Sequence, residues 1–241
     1  MLIIKFFNLI INKSGDFMSD NISKFQKNAE LIFTYIYNNR MIIISAAVLI
    51  IVIVAGILIY NMNIENQDKT INAEFESAFA LYSQIPQERL SEPNVIIEIT
   101  TRFQKVYREA KGKTLKLRAA YSLGSIYYDI GNFSESSKYF KEVADSRGFY
   151  LQESAIYNLA NSQIESTNYT EAANTLENFI RAYPNSYLNP QATLTLSDVY
   201  RKQNDKTKSI NILRNWMNNN TNNQYLNIFS ETISLIENNV Y

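Results

Sequence analysis

The feature that most constrains the fold is a pattern of small residues that recurs every 36 to 37 positions. The pattern has two places, twelve positions apart, in three copies: Gly124 and Ser136, Ala160 and Ala172, and Ser197 and Ser209. Two helices joined by a tight turn pack closely only where their contact point lacks bulk, so the paired small residues predict helical hairpins. Three hairpins in succession predict an α-solenoid, in which each unit buries its apolar face against its neighbour.

Large apolar residues follow the second small place in each copy and are expected to fill the second helix. They are Phe140 and Val143, Leu176 and Phe179, and Leu213 and Trp216. Phe103 and Val106 lie 37 positions before the first of these pairs, so residues 71–110 are expected to form a fourth, degenerate unit with a longer turn around Pro86 to Pro93. A last helix of roughly residues 222–237 is expected to cap the stack.

The turn within each hairpin carries helix-start residues. Asn132, Asn168 and Asp205 stand where an N-cap is needed, and Glu135 and Glu171 follow the first two by three positions, as in a capping box. The chain has only 6 glycines and 4 prolines, which favours long helices over turn-rich β architectures. The sequence therefore predicts an all-α protein.

The segments SLGSIYYDIGNFSESSKYFKEV (122–143) and NYTEAANTLENFIRAYP (168–184) resemble the tetratricopeptide repeat family. The shared features are Leu-Gly and Tyr on the first helix, Ala and Phe on the second, and a Pro in the link. Gln163 and Thr193 depart from the pattern because they stand where apolar residues are expected, and only one link has the Pro. The resemblance covers most of residues 71–238 and implies a scaffold for protein–protein interaction.

A second feature, MIIISAAVLIIVIVAGILIY from Met41 to Tyr60, is predicted to cross a membrane. Its twenty residues carry no charge and, as a helix, extend about 30 Å, the thickness of the hydrocarbon core. Lys24, Lys27 and Arg40 precede the run, whereas only Lys69 follows it closely, so the positive-inside rule predicts a cytoplasmic N-terminus.

The predicted organisation has three parts. Residues 1–40 form a short cytoplasmic segment, residues 41–60 a single transmembrane helix, and residues 61–241 an extracytoplasmic repeat domain. Location in the inner, cytoplasmic membrane follows from this arrangement. Translation from either Met1 or Met18 is consistent with the sequence, and Met18 is favoured because residues 1–17 add an apolar run too short to span.

The amino-acid composition excludes several classes of function. The chain has no Cys and no His, which removes thiolate and imidazole metal sites, cysteine nucleophiles, His-based triads and a lipoprotein anchor. Its 23 basic and 23 acidic residues balance, so no basic footprint for nucleic acid stands out. We expect a non-enzyme without cofactor, metal or small-molecule substrate, whose partners are proteins or extended peptides.

The first helices of stacked hairpins line a concave surface that suits an extended peptide. Tyrosine and hydrogen-bonding side chains dominate the predicted surface, and this mixture favours contact with polypeptide. Ten residues are predicted to face this groove: Arg118, Tyr121, Ser125, Tyr128, Tyr157, Asn161, Glu165, Leu194, Asp198 and Arg201.

The order of the parts resembles the YfgM-type ancillary subunits of the SecYEG translocon, whose repeat domain faces the periplasm. This resemblance implies translocon subunits and periplasmic chaperones as partners. The alternative is a repeat adaptor in envelope assembly or cell division, because RAYPNSYLNPQATLTLSDVY (181–200) resembles repeat proteins of outer-membrane biogenesis.

Overall fold

The computed structural model describes residues 19–240, with side chains from residue 27 onward except at 65–68, 87 and 91. The choice between Met1 and Met18 lies outside this range. The described residues form ten α-helices and no β-strand. The helices are α1 Ser19–Asn38, α2 Arg40–Gln84, α3 Pro93–Glu109, α4 Lys113–Asp129, α5 Phe133–Ala144, α6 Gln152–Glu165, α7 Tyr169–Ala182, α8 Asn189–Lys202, α9 Lys206–Asn219 and α10 Leu226–Glu237.

The chain divides into two units, with the boundary between Met62 and Asn63. Among the described residues, one stretch, Arg40–Ile64, is long and apolar enough to cross a membrane by length and composition, with a mean hydropathy of 3.4. Its apolar side chains have no core to enter, since Ile42 is 70% and Ile59 68% exposed. Such a surface is unfavourable in water and is stabilised by an apolar surrounding.

The second unit is the predicted solenoid of hairpins. Its first helices are residues 63–84 of α2, then α4, α6 and α8; its second helices are α3, α5, α7 and α9, and α10 follows as the cap. The degenerate fourth unit is present, because the ring of Phe75 packs edge-on against Phe103 at 5.5 Å between centroids. The longer turn of this unit contains a 3-10 helix, Gln87–Ser91.

The small residues meet inside the hairpins, as predicted. Ser136 Oγ donates to the Gly124 carbonyl at 2.9 Å, so α4 and α5 touch at these two residues. In the last hairpin the hydroxyls of Ser197 and Ser209 lie 2.8 Å apart and both residues are buried. The middle hairpin uses Ala160 and Ala172, each with no exposed surface. Close helix contact is therefore achieved three times with the smallest available side chains.

The apolar core runs along the stack between the helices. Four phenylalanines, Phe103, Phe140, Phe179 and Phe229, are among its largest fully buried side chains. Thr193 and Gln163, the two polar residues that stand where the repeat pattern expects apolar ones, form hydrogen bonds within the chain. Thr193 Oγ1 donates to the Asn189 carbonyl at 2.9 Å. Gln163 Oε1 accepts from Thr175 Oγ1 at 2.9 Å. These polar residues thus fit the core without an unsatisfied group.

The hairpin turns follow a repeated geometry that sequence analysis did not predict. Gly131, Thr167 and Asn204 adopt positive φ of 77°, 60° and 62°. The next backbone N–H in each turn then donates to a carbonyl five residues back, as from Asn168 to Gln163 at 2.8 Å. This is the Schellman arrangement, which satisfies orphan carbonyls at the end of the first helix.

The predicted caps are correct in part. Asn132 accepts from the Glu135 N–H and Asp205 from the Lys208 N–H, but the Asn168 side chain accepts no capping bond. The reciprocal capping box is wrong, because the backbone N–H groups of Asn132 and Asn168 already donate within the Schellman turns. The cap helix also begins later than predicted, at Leu226, since Asn223 Oδ1 accepts from the Tyr225 N–H and holds a turn there.

Candidate partner-binding groove

The first helices of neighbouring units are joined side by side by hydrogen bonds between their side chains. Asn158 Nδ2 on α6 donates to the Tyr121 hydroxyl on α4 at 2.9 Å. The Tyr157 hydroxyl of α6 lies 3.1 Å from Thr195 Oγ1 of α8. These two hydrogen bonds show that α4, α6 and α8 lie side by side, and they fix the register of each helix against the next. The predicted groove residues on the three helices are therefore neighbours.

At the start of the groove, the predicted residue Arg118 is held by the preceding unit. Its guanidinium lies 4.2 Å from the centroid of the Phe75 ring, and Nη2 donates to Glu76 Oε1 at 2.8 Å. At the opposite end of α4, the Tyr82 hydroxyl of α2 donates to the Asp129 carboxylate. Phe75 and Glu76 were not predicted as groove residues, because their unit lacks the pattern of small residues that reveals the register elsewhere.

At the other end, the predicted residues on α8 are also engaged within the chain. Leu194 is half-buried and packs against the apolar cluster around Trp216 and Phe229. The Asp198 carboxylate binds Arg201 Nη2 at 2.5 Å and Lys202 Nζ at 3.2 Å. The two cations share one carboxylate, so Asp198 is fully engaged and one positive charge on α8 remains unbalanced within the helix.

The middle of the groove differs from both ends. Ser125 Oγ donates to the carbonyl of Tyr121 in its own helix. In contrast, the side chains of Tyr128, Asn161 and Glu165 form no hydrogen bond or ion pair with the part of the chain that the structure describes, and we call these three residues the central patch. Tyr128 and Asn161 are half-buried, and Glu165 is exposed.

The register explains why the central patch is continuous. Tyr128 lies seven residues, or two helical turns, after Tyr121, and Glu165 lies seven residues after Asn158. Because Asn158 binds Tyr121, the same advance along both helices places Tyr128 opposite Glu165. Asn161 lies one turn before Glu165 and completes the patch.

Two tyrosines of the groove, Tyr121 and Tyr128, remain protonated at neutral pH. The pKa of Tyr128 is raised, first because burial disfavours the phenolate and second because Glu165, Tyr157 and Asp129 lie nearby. Burial likewise raises the pKa of Tyr121. Each of these phenols is therefore available as a hydrogen-bond donor, and its ring presents apolar surface beside it. Among the described residues, no three Asp, Glu, His or Cys side chains are placed to hold a metal ion.

The fold and groove define the second unit as an α-solenoid of helical hairpins, a class whose members typically serve as non-catalytic scaffolds for protein partners. Residues 117–148 match the tetratricopeptide repeat family model. Residues 150–229 match the model described as YfiO, outer membrane lipoprotein. The repeat character predicted from the sequence is therefore supported in both halves of the solenoid.

Solved structures show the same fold. The TPR-like, nearly identical repeats of a Podosopora anserina protein described as a kinesin light chain superpose with a TM-score of 0.52 at 11% identity, covering 69% of this chain and 85% of that one. A single-substitution variant of that protein gives a TM-score of 0.53 at 11% identity, with coverage of 69% and 84%. A search of curated proteins gave no match.

Proposed function

We propose that this protein is a membrane-anchored, non-catalytic scaffold that binds polypeptide in the groove formed by its first helices. The observation that carries the proposal is the contrast within the groove: side chains at both ends are engaged by neighbouring helices or residues, while the polar groups of Tyr128, Asn161 and Glu165 are not. A phenol, an amide and a carboxylate without internal hydrogen-bond partners can bind the side chains and backbone of an extended chain.

In this proposal residues 1–40 are cytoplasmic, Met41 to Tyr60 crosses the membrane, and residues 61–241 face the extracytoplasmic space. The uncharged apolar run and the basic residues before it support this orientation. The exposed apolar surface of Arg40–Ile64 supports insertion in the membrane.

We infer that the partners are translocon subunits and periplasmic chaperones, so that the groove transfers newly exported chains to folding factors. The order of cytoplasmic segment, span and repeats supports this role. A second candidate, an adaptor in envelope assembly, is favoured by one observation: residues 150–229 match the model of an outer membrane lipoprotein.

Photocrosslinking in intact cells tests the choice. A photoreactive amino acid replaces Tyr128 in the full chain, and the same residue at Lys141, an exposed position on α5, is the matched control. The translocon role predicts crosslinks to translocon subunits or periplasmic chaperones from position 128 and not from position 141. Crosslinks to outer-membrane assembly factors alone would establish the second candidate instead.

A further inference from the structure

We propose that the central patch selects a lysine or arginine side chain of the bound polypeptide, an inference that rests on the proposed function. The patch combines a tyrosine ring on α4 with an exposed carboxylate on α6. The Tyr128 ring is held edge-on to Phe133, with 5.4 Å between centroids, so its orientation is fixed. A cation over an aromatic face is attracted to the ring, and a carboxylate beside it adds a charge-assisted hydrogen bond.

The groove contains an internal example of this chemistry. Arg118 lies over the Phe75 ring at 4.2 Å and donates to Glu76 at 2.8 Å, so a ring and a carboxylate from one first helix hold a cation from the next. At the central patch the ring is Tyr128 and the carboxylate is Glu165, but no cation of the described chain occupies the corresponding place. A lysine or arginine side chain of a partner can therefore occupy the central patch as Arg118 occupies the site formed by Phe75 and Glu76.

The other charges that face this part of the groove favour a positive ligand. Arg201 and Lys202 on α8 are paired with Asp198, at 2.5 and 3.2 Å. Asp129, at the end of α4, accepts from the Tyr82 phenol, a neutral donor that brings no positive charge. Neither Glu165 nor Asp129 forms an ion pair with the described part of the chain, and both lie near Tyr128, so these two carboxylates attract a basic segment and repel an acidic one.

Fluorescence anisotropy with three defined peptides tests the inference. The peptides are unstructured twelve-residue chains of Gly, Ser and Tyr that differ at two central positions, which are Lys, Gln or Glu. The protein is the full chain in lipid nanodiscs, compared with Glu165→Gln and with Glu171→Gln, an exposed glutamate on α7 as the matched control. We expect the Lys peptide to bind at least fivefold more tightly than the Gln peptide, and the Glu peptide most weakly.

The variants separate the possible results. Glu165→Gln should bind the Lys and Gln peptides with equal affinity, and Glu171→Gln should keep both the affinity and the Lys preference of the native chain. Equal binding of all three peptides by the native chain, or a Lys preference that survives in Glu165→Gln, overturns the inference and leaves the groove as a peptide site. If none of the peptides binds, the proposed function itself fails.

Discussion

The ring of Phe140 occupies the space that a side chain on Gly124 would need. A Cβ at Gly124 would lie 2.9 Å from Phe140 Cδ1 and Cε1, and both residues are buried between α4 and α5. Real carbon contacts are longer, so any side chain at this position must displace the ring or separate the helices. The small-residue pattern in the sequence thus has a steric cause that can be measured.

Gly124→Leu is expected to destabilise the solenoid by about 1–3 kcal/mol, because it overpacks a filled core. Ala182→Leu, at an exposed position on α7, is the control and should change stability little. Urea denaturation followed by circular dichroism gives both values. Equal stability of Gly124→Leu and the native chain would show that the two helices do not touch at this residue.

Thr167 is a β-branched residue with φ of 60°, a region that glycine occupies at no steric cost. Thr167→Gly is therefore expected to stabilise the chain by about 1 kcal/mol, since the left-handed conformation costs L-residues about 1–2 kcal/mol. The reciprocal change Gly131→Thr, at φ of 77°, should destabilise by a similar amount. A loss of stability in Thr167→Gly would contradict the assigned turn geometry.

Tyrosines in the groove should divide into structural and partner-binding ones. Tyr121→Phe removes the acceptor of Asn158 Nδ2 and is expected to cost about 1 kcal/mol of stability. Tyr128→Phe removes a hydroxyl without an internal hydrogen-bond partner, so its unfolding midpoint should not move, while peptide affinity falls in Tyr128→Leu. If Tyr128→Phe lowers the unfolding midpoint and Tyr128→Leu leaves peptide affinity unchanged, Tyr128 is a structural residue and not part of the binding site.

Stability should decrease in alkaline solution. Burial, and hydrogen bonds to Asp129, Glu142 and Glu177, raise the pKa values of Tyr82, Tyr107 and Tyr200 in the folded chain. In the unfolded chain these tyrosines titrate near the ordinary pKa of about 10, and in the folded chain they titrate higher. The folded state therefore gains stability from keeping the three phenols protonated. This contribution is complete below about pH 10 and is lost as pH rises through the folded pKa values.

Denaturation midpoints between pH 7 and about pH 12 measure this loss. The variant with Phe at all three positions is the control and should depend less on pH above about 10. Phenolate absorbance in the folded protein that rises with an ordinary tyrosine pKa would contradict the described environment of these rings.

The solenoid could be predicted from the sequence because a steric rule repeats in it. Gly124 and its counterparts recur at a fixed interval, and a repeated constraint is visible where a single one is not. The Schellman turns could not be predicted, because Gly131, Thr167 and Asn204 share a conformation but no side-chain chemistry. Conformation at positive φ was imposed on Thr167 by the hairpin rather than by its own preference.

The division of the groove into engaged and unengaged residues also required the structure. Helix periodicity assigns Arg118 and Tyr121 to the groove side of α4, and Glu165 to that of α6, but does not reveal which side chain has a neighbour within the chain. Arg118 contacts Phe75 and Glu76 because a helix of the degenerate fourth unit, which precedes the other three in the chain, packs beside α4. The role of Asn189 likewise depends on contacts between units. Its side chain accepts from Trp216 Nε1 at 2.8 Å and donates to the carbonyl of Ile180, in the last turn of α7, and to that of Tyr183, just after α7.

Peptide contact within the groove tests the central claim most directly. A photoreactive amino acid is placed at Asn161 on α6, or at Asn174, an exposed asparagine on α7, in the full chain in nanodiscs with the labelled Lys peptide. The account predicts a crosslink to the peptide from position 161 that unlabelled peptide competes away, and none from position 174. Equal labelling from both positions, or labelling from 174 alone, would contradict it.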